Sequence, residues 1–353
     1  MVASSTEVPG FRPQVWAVGG GKGGTGKSLL AASLGIHLAQ TGRRVVLIDG
    51  DLGTPNLHTF LGLDPPAVSL SDFIRRRVGS LDEAAVETSV PGLRLVSGAR
   101  NSLDAESLKH FQKTRLLRLL LDLSAEVVIL DLGAGTSLTT LDLFAPADQG
   151  VMVILPEPTS VENAYRFVKG AYLRRLQHLC RLMGYGELLD LVLRHRDAAA
   201  AGSPTAVIEE IDRIDRHAAD GLLAQMSGFS PHLVINQARD GDDAWLGEAM
   251  EVTSRRILRI PLRFAGAVPH DPQLVRSIKD RRPFLAEASP CSRTAAALRQ
   301  VAGTLATRSG LRPAPIVLAP PAVLASPAIP APPAVQARPT VASRPVLSGG
   351  SAT

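Results

Sequence analysis

Short, continuous apolar runs alternate with longer stretches of helical periodicity from Gln14 to about residue 308. QVWAVGG opens the series, and RRVVLIDG, LRLVSG, EVVILDLG, QGVMVILP, PHLVINQ and LRFAGAVP follow as strand candidates. Most are apolar throughout rather than alternating, the pattern of parallel strands covered on both faces. Between them lie helical stretches such as GKSLLAASLGIHLAQTG, closed by Gly42, and DAESLKHFQKTRLLRLLLDL. This order predicts an α/β fold: a doubly wound, mostly parallel sheet flanked by helices and joined by right-handed crossovers. A ligand then belongs beyond the carboxyl ends of the strands. Two regions break the rhythm. Residues 184–230 hold only the helical patterns ELLDLVLRHRDAAA and AVIEEIDRIDRHAADGLLAQM, which predict a helical insertion. From Leu311 the chain becomes LRPAPIVLAPPAVLASPAIPAPPAVQARP. Proline at this density removes donors and fixes φ, so a disordered, partly extended tail is expected over 311–353. The reading is thus a flexible leader over 1–13, one domain over 14–310 and the tail.

Composition narrows the class. The 353 residues are 45% hydrophobic and 20% charged, as in a soluble globular protein, and no apolar run could span a bilayer. The N-terminal MVASSTEVPGFRPQ lacks a basic region followed by an apolar core, so no secretory signal is expected. Two cysteines, Cys180 and Cys291, without a CxxC argue against a disulfide framework, a zinc ribbon or a paired-cysteine cluster. A cytoplasmic home is the expectation. The net charge of +5 comes largely from scattered arginine and points only weakly to nucleic acid. In YRFVKGAYLRRLQHLCRLMG, Val168, Tyr172, Leu176, Leu179 and Met183 share a helical stripe, while Lys169, Arg174, Arg175, His178 and Arg181 fall largely elsewhere. A core-facing helix with a solvated basic face is the first reading, and partner docking the alternative.

The chemistry concentrates in GKGGTGKS, Gly21 to Ser28, which fits GxxxxGK[ST] between a strand and a helix. Gly21, Gly23, Gly24 and Gly26 let backbone N–H groups close around phosphates, and the helix start adds its positive dipole end. Gly21, Lys22, Gly23, Gly24, Thr25, Gly26, Lys27, Ser28 and Leu29 form the expected nucleotide cradle. Lys27 would neutralise the β- and γ-phosphates, and the Ser28 hydroxyl would bind Mg²⁺. Lys22 is the extra lysine, expected to point out of the loop because Lys27 fills its near side.

At this point the stretch resembles the deviant loop KGGxGK[ST] of the MinD/ParA family of ATPases. The resemblance implies that ATP is sandwiched between two chains, with each Lys22 reaching the partner's nucleotide as an arginine finger does. LIDGDLGTPNLHTFLGL resembles the family's DxDxGxxN switch, which implies that Asp51 orients the attacking water and Asp49 supports the magnesium shell, both belonging to the metal site. VVILDLGAGTS places Asp131 as a carboxylate holding Mg²⁺ through water, ahead of a glycine-bearing second switch. LPEPTSVENAYRFVKG, VINQARD and GAVPHDPQLVRSIKDRRPF extend the likeness, and imply that Asn236 bonds the adenine edge while Pro269 and Asp271 flank the ring. The FlhG (FleN) subgroup, which regulates flagellar number and placement, is the nearest in these motifs. The implied activity is slow ATP hydrolysis by a dimerisation switch that positions a protein partner, in the cytoplasm or recruited to a pole or membrane by that partner. The C-terminal VASRPVLSGGSAT shows no amphipathic membrane-binding helix of the kind usual in that subgroup. A ParA-like ATPase binding nonspecific DNA is the alternative reading.

Overall fold

The computed structural model describes residues 12–98, 110–195, 205–239, 242–289 and 291–311. The expected tail beyond 311, most of the leader and the first residues of the helix predicted from Asp104 lie outside them. Eight strands form one sheet: β1 (Gln14–Gly19), β2 (Val45–Asp49), β3 (Ala85–Glu87), β4 (Leu93–Val96), β5 (Val127–Asp131), β6 (Gln149–Ile154), β7 (His232–Ala238) and β8 (Arg263–Pro269). Their order is β3-β4-β2-β5-β1-β6-β7-β8, and every pair is parallel except β3 with β4. Beyond the seven strands expected, β3 is an added antiparallel edge.

The central strands are buried on both faces, which is why they are apolar almost throughout. Alternate residues feed two cores. Val15, Ala17, Val46, Ile48, Val128 and Leu130 face one side with helices Leu138–Phe144 and Pro158–Leu182. Trp16, Val18, Val45, Leu47, Val127 and Ile129 face the other, with α1 (Lys27–Gln40) and helix Arg293–Arg308. The region between helix Pro158–Leu182 and β7 contains helices Gly186–His195, Ala206–Ile214 and Arg216–Met226, and no strand among its described residues. Val168, Tyr172, Leu176 and Leu179 are buried, as the stripe predicted. The opposite face is not simply solvated: Arg174 and Arg175 are half-buried and bonded to Asp142 and to the Ala145 carbonyl. No helix among the described residues is long and apolar enough to cross a membrane.

Candidate functional site

β1 ends at Gly19, and the following loop turns into α1 at Lys27. Gly26 caps α1 in the left-handed region at φ 93°, and a Cβ there would lie 2.1 Å from Asn236 Nδ2, so only glycine fits. At Gly21 a Cβ would meet the Asn163 carbonyl at 2.5 Å, because the loop lies against helix Pro158–Leu182. The second switch is tied to the same loop: the Leu132 N–H donates to Val18 O at 2.9 Å, and the Gly135 N–H to Gly20 O at 3.1 Å. Lys27 is 8% exposed, and its Nζ donates to the Lys22 carbonyl at 3.1 Å. Burial lowers its pKa, while Asp131 and Asp51 pull it back up. A desolvated ammonium in this setting is suited to gripping phosphate oxygens.

Three carboxylates at the strand ends serve different ends. Asp49 is fully buried and accepts backbone N–H bonds from Asp51 (3.2 Å), Asn56 (2.8 Å) and Leu57 (3.0 Å). Both its oxygens thus brace the loop over 51–57. Burial, with Asp131 beside it, pushes its pKa up to about 8. Asp51 accepts from the Gly53 and Thr54 N–H groups and the Thr54 hydroxyl, each at 3.1 Å, and faces the cavity. Asp131 is 1% exposed, and burial pushes it up to about 7 against the pull of the Ser28 hydroxyl and Lys27. Its Oδ1 is buried without a hydrogen-bond partner. Such an oxygen is costly unless a water or cation meets it, and with Ser28 alongside it fits a hydrated magnesium ion. Among the described residues no three His, Cys, Asp or Glu side chains converge as a metal cluster, so beside Ser28 and Asp131 the ion would need phosphate oxygens and water.

A cavity of about 390 Å³ joins the two halves of the expected site. Gly23, Gly24, Gly26, Lys27, Ser28 and Leu29 line one side, and Asn236, Pro269 and Asp271 the other. Gly21, Lys22, Thr25, Asp49 and Asp131 are not part of its lining. Asn236 is buried at the end of β7, and its Nδ2 donates to the Thr25 carbonyl at 2.8 Å. Beyond facing the cavity, it therefore ties β7 to the phosphate loop. Asp271 caps helix Pro272–Lys279 by accepting from the Gln273 N–H at 2.8 Å. Sequence reasoning missed the apolar wall of Phe60, Leu274, Val275 and Ile278. Leu274 and Ile278 carry a signal, four residues apart behind a capping aspartate; Gln237, held at φ 57°, carries none.

Lys22 leaves the loop, as expected, and finds a partner that the sequence did not reveal. Its Nζ pairs with Glu157 Oε2 at 2.6 Å and approaches Thr159 Oγ1 at 3.3 Å, at the start of helix Pro158–Leu182. The pair sits at the rim, with side-chain exposures of 36% and 49%.

Residues 16–284 match the CobQ/CobB/MinD/ParA nucleotide binding domain. The chain belongs to this family. Among MinD/ParA relatives, the antiactivator FleN of Pseudomonas aeruginosa is 35% identical over 158 residues, 44% of this chain and 55% of that protein. The septum site-determining protein MinD of Synechocystis is 34% identical over 157 residues, 44% of this chain and 58% of that protein. The chain thus spans somewhat more than half the length of these relatives. The septum site-determining protein MinD from Pyrococcus horikoshii, solved with Mg-ADP, superposes with a TM-score of 0.59 over 85% of this chain and 98% of its own, at 18% identity. That likeness establishes the MinD/ParA fold.

Proposed function

We propose that this MinD/ParA-type protein is a slow ATPase that works as a nucleotide-driven dimerisation switch and positions a partner protein. The observation that carries the reading is the second lysine. Lys27 occupies the inside of the loop, whereas Lys22 stands at the rim on Glu157, free to exchange one anion for another. A second chain's γ-phosphate would be the stronger attractor, because it carries more charge and is less solvated once two faces meet. In this reading Lys27 grips the β- and γ-phosphates, and Ser28 and Asp131 would hold Mg²⁺. The ion would neutralise phosphate charge. Asp51 positions the attacking water, and Asp49 keeps the loop over 51–57 in place. Asn236, Pro269 and Asp271 flank the adenine.

FleN and MinD match at nearly the same identity, so the output is given as a class, spatial or regulatory control through a partner. The protein works in the cytoplasm in this reading and reaches any surface through that partner. Light scattering during size-exclusion chromatography tests the switch. Wild type should be a monomer with ADP and a dimer with ATP, and Lys22→Ala should lose ATP-dependent assembly or hydrolysis. Equal mass in both nucleotides, with Lys22→Ala hydrolysing ATP normally, would remove the switch.

A further inference from the structure

A second recess, of about 470 Å³, lies at the amino-terminal ends of the strands, away from the phosphate loop. Val15 at the start of β1 and Asp148 just before β6 contribute to it, and the second half of helix Pro158–Leu182 forms one wall. Its floor is apolar, built from Val15, Leu117, Leu120 and Leu179. The two carboxylates that line it already have cations. Asp142 is held by Lys113 and Arg174, and Asp148 pairs with Arg12 at 2.6 Å. Asp148 also accepts the Val15 N–H at 2.9 Å.

Positive charge remains after these pairings. Arg118 and Arg181 are exposed on the lining and have no ion-pair partner among the described residues. Arg175 donates one guanidinium N–H to the Ala145 carbonyl at 2.9 Å and lies 5.8 Å from the Phe229 ring centroid. Its Nε is buried with no acceptor at all. That atom is closed to solvent and Asp148 acts on the same guanidinium, so Arg175 adds positive field to the recess, while Arg118 and Arg181 offer the contacts. Leu121 at the rim is 37% exposed and Leu182 74%, so apolar surface continues beyond the recess.

We infer that this recess docks an acidic segment of a partner protein, one that also carries a large apolar side chain. The inference rests on the partner-positioning reading above and gives its partner a chemistry. Carboxylates of the segment would meet Arg118 and Arg181, while its apolar side chain fills the floor between Leu117 and Leu179. The concave shape favours a projecting side chain over a flat lipid surface, which could not reach the floor. The apolar rim favours a peptide over a free anion, which would leave Leu121 and Leu182 in water.

Phage-displayed random short peptides, selected on the full-length protein and counter-selected on an Arg118→Glu/Arg181→Glu double variant, test the site. Both residues are exposed and remote from the nucleotide cavity, so ATP affinity should be unchanged and reports intact folding. Enriched peptides should combine Asp or Glu with Leu, Ile or Phe. In fluorescence anisotropy they should bind the double variant about tenfold more weakly than wild type, with a smaller loss for Leu182→Ser. Absence of enrichment, enrichment of peptides without acidic residues, or equal binding to the variant would overturn the inference. Peptide selection that fails while phosphatidylglycerol vesicles sediment wild type but not the double variant would reassign the recess to a membrane. The dimerisation reading is scored separately, by mass with ATP, so either can fail without the other.

Discussion

The two ends of the sheet treat two carboxylates, Asp131 and Asp142, in opposite ways. At the carboxyl end, Lys27 and Asp131 are buried near each other without a direct bond, and Asp131 Oδ1 has no partner. At the amino end, Asp142 is clasped by Lys113 and Arg174, and Glu126 pairs with Arg43 at 2.7 Å. Asp131 is held apart from the nearest cation in a low dielectric, where a ligand can complete it; Asp142 and Glu126 are paired with cations and hold elements together. Burial alone therefore does not distinguish a binding group from a structural one. The decisive feature is whether its hydrogen-bonding capacity is already filled.

The largest expected effect is at the carboxyl end. Lys27→Ala should weaken ATP binding about a hundredfold or more, measured with a fluorescent ATP analogue, while leaving the unliganded melting temperature unchanged or higher. An unliganded protein that unfolds would show Lys27 to be structural and erase the contrast. At the other end the order should reverse. Asp142→Ala should cost about 3 kcal/mol in urea unfolding, because it strands a buried and a half-buried cation, with little change in nucleotide affinity. A third check also concerns the amino end. Burial, then Arg308 and Arg263, lower the pKa of His232 from 6.5 to about 4. The unfolded chain therefore takes up the proton first. The stability from neutral His232 is complete above pH 6.5 and declines as pH falls toward 4. Unfolding across that window should show a loss of about 2 kcal/mol that His232→Gln flattens.

Two smaller effects sharpen the contrast at the carboxyl end. Asn236→Ala should weaken tripolyphosphate, which has no base, about tenfold, because the bond to Thr25 holds the loop. If only ATP weakens, Asn236 reads the base and nothing more. Lys22→Ala and Glu157→Ala should each change unfolding stability by less than about 1 kcal/mol, since that pair is exposed. A larger change would make the pair structural and weaken Lys22's claim to a role between chains.

What was legible in the sequence was what repeats along it. The seven parallel strands stood out because most are near-continuous apolar runs, and the phosphate loop because its glycines and two lysines are contiguous. β3 was not, since Ala85–Glu87 is three residues long and half exposed, without a hydrophobic signature. The pairing of Lys22 with Glu157, the bond from Asn236 to Thr25 and the grip on Asp142 join residues far apart in sequence, and only the folded sheet brings them together. Asp49 shows a subtler limit. The family resemblance implied the magnesium shell for it; that its oxygens accept the N–H groups of Asp51, Asn56 and Leu57 carried no signal in the sequence.

The placement of β1 has a consequence for how the protein is made. The strand that carries the phosphate loop lies between β5 and β6, with Gln14 opposite Val127 and Trp16 opposite Gln149. During synthesis it has no neighbour on either side until those residues have left the ribosome. Pairings this distant in sequence make a slow, high-contact-order fold. The apolar β1 must wait exposed to chaperones or to aggregation, so the loop that binds nucleotide, though made early, is assembled late.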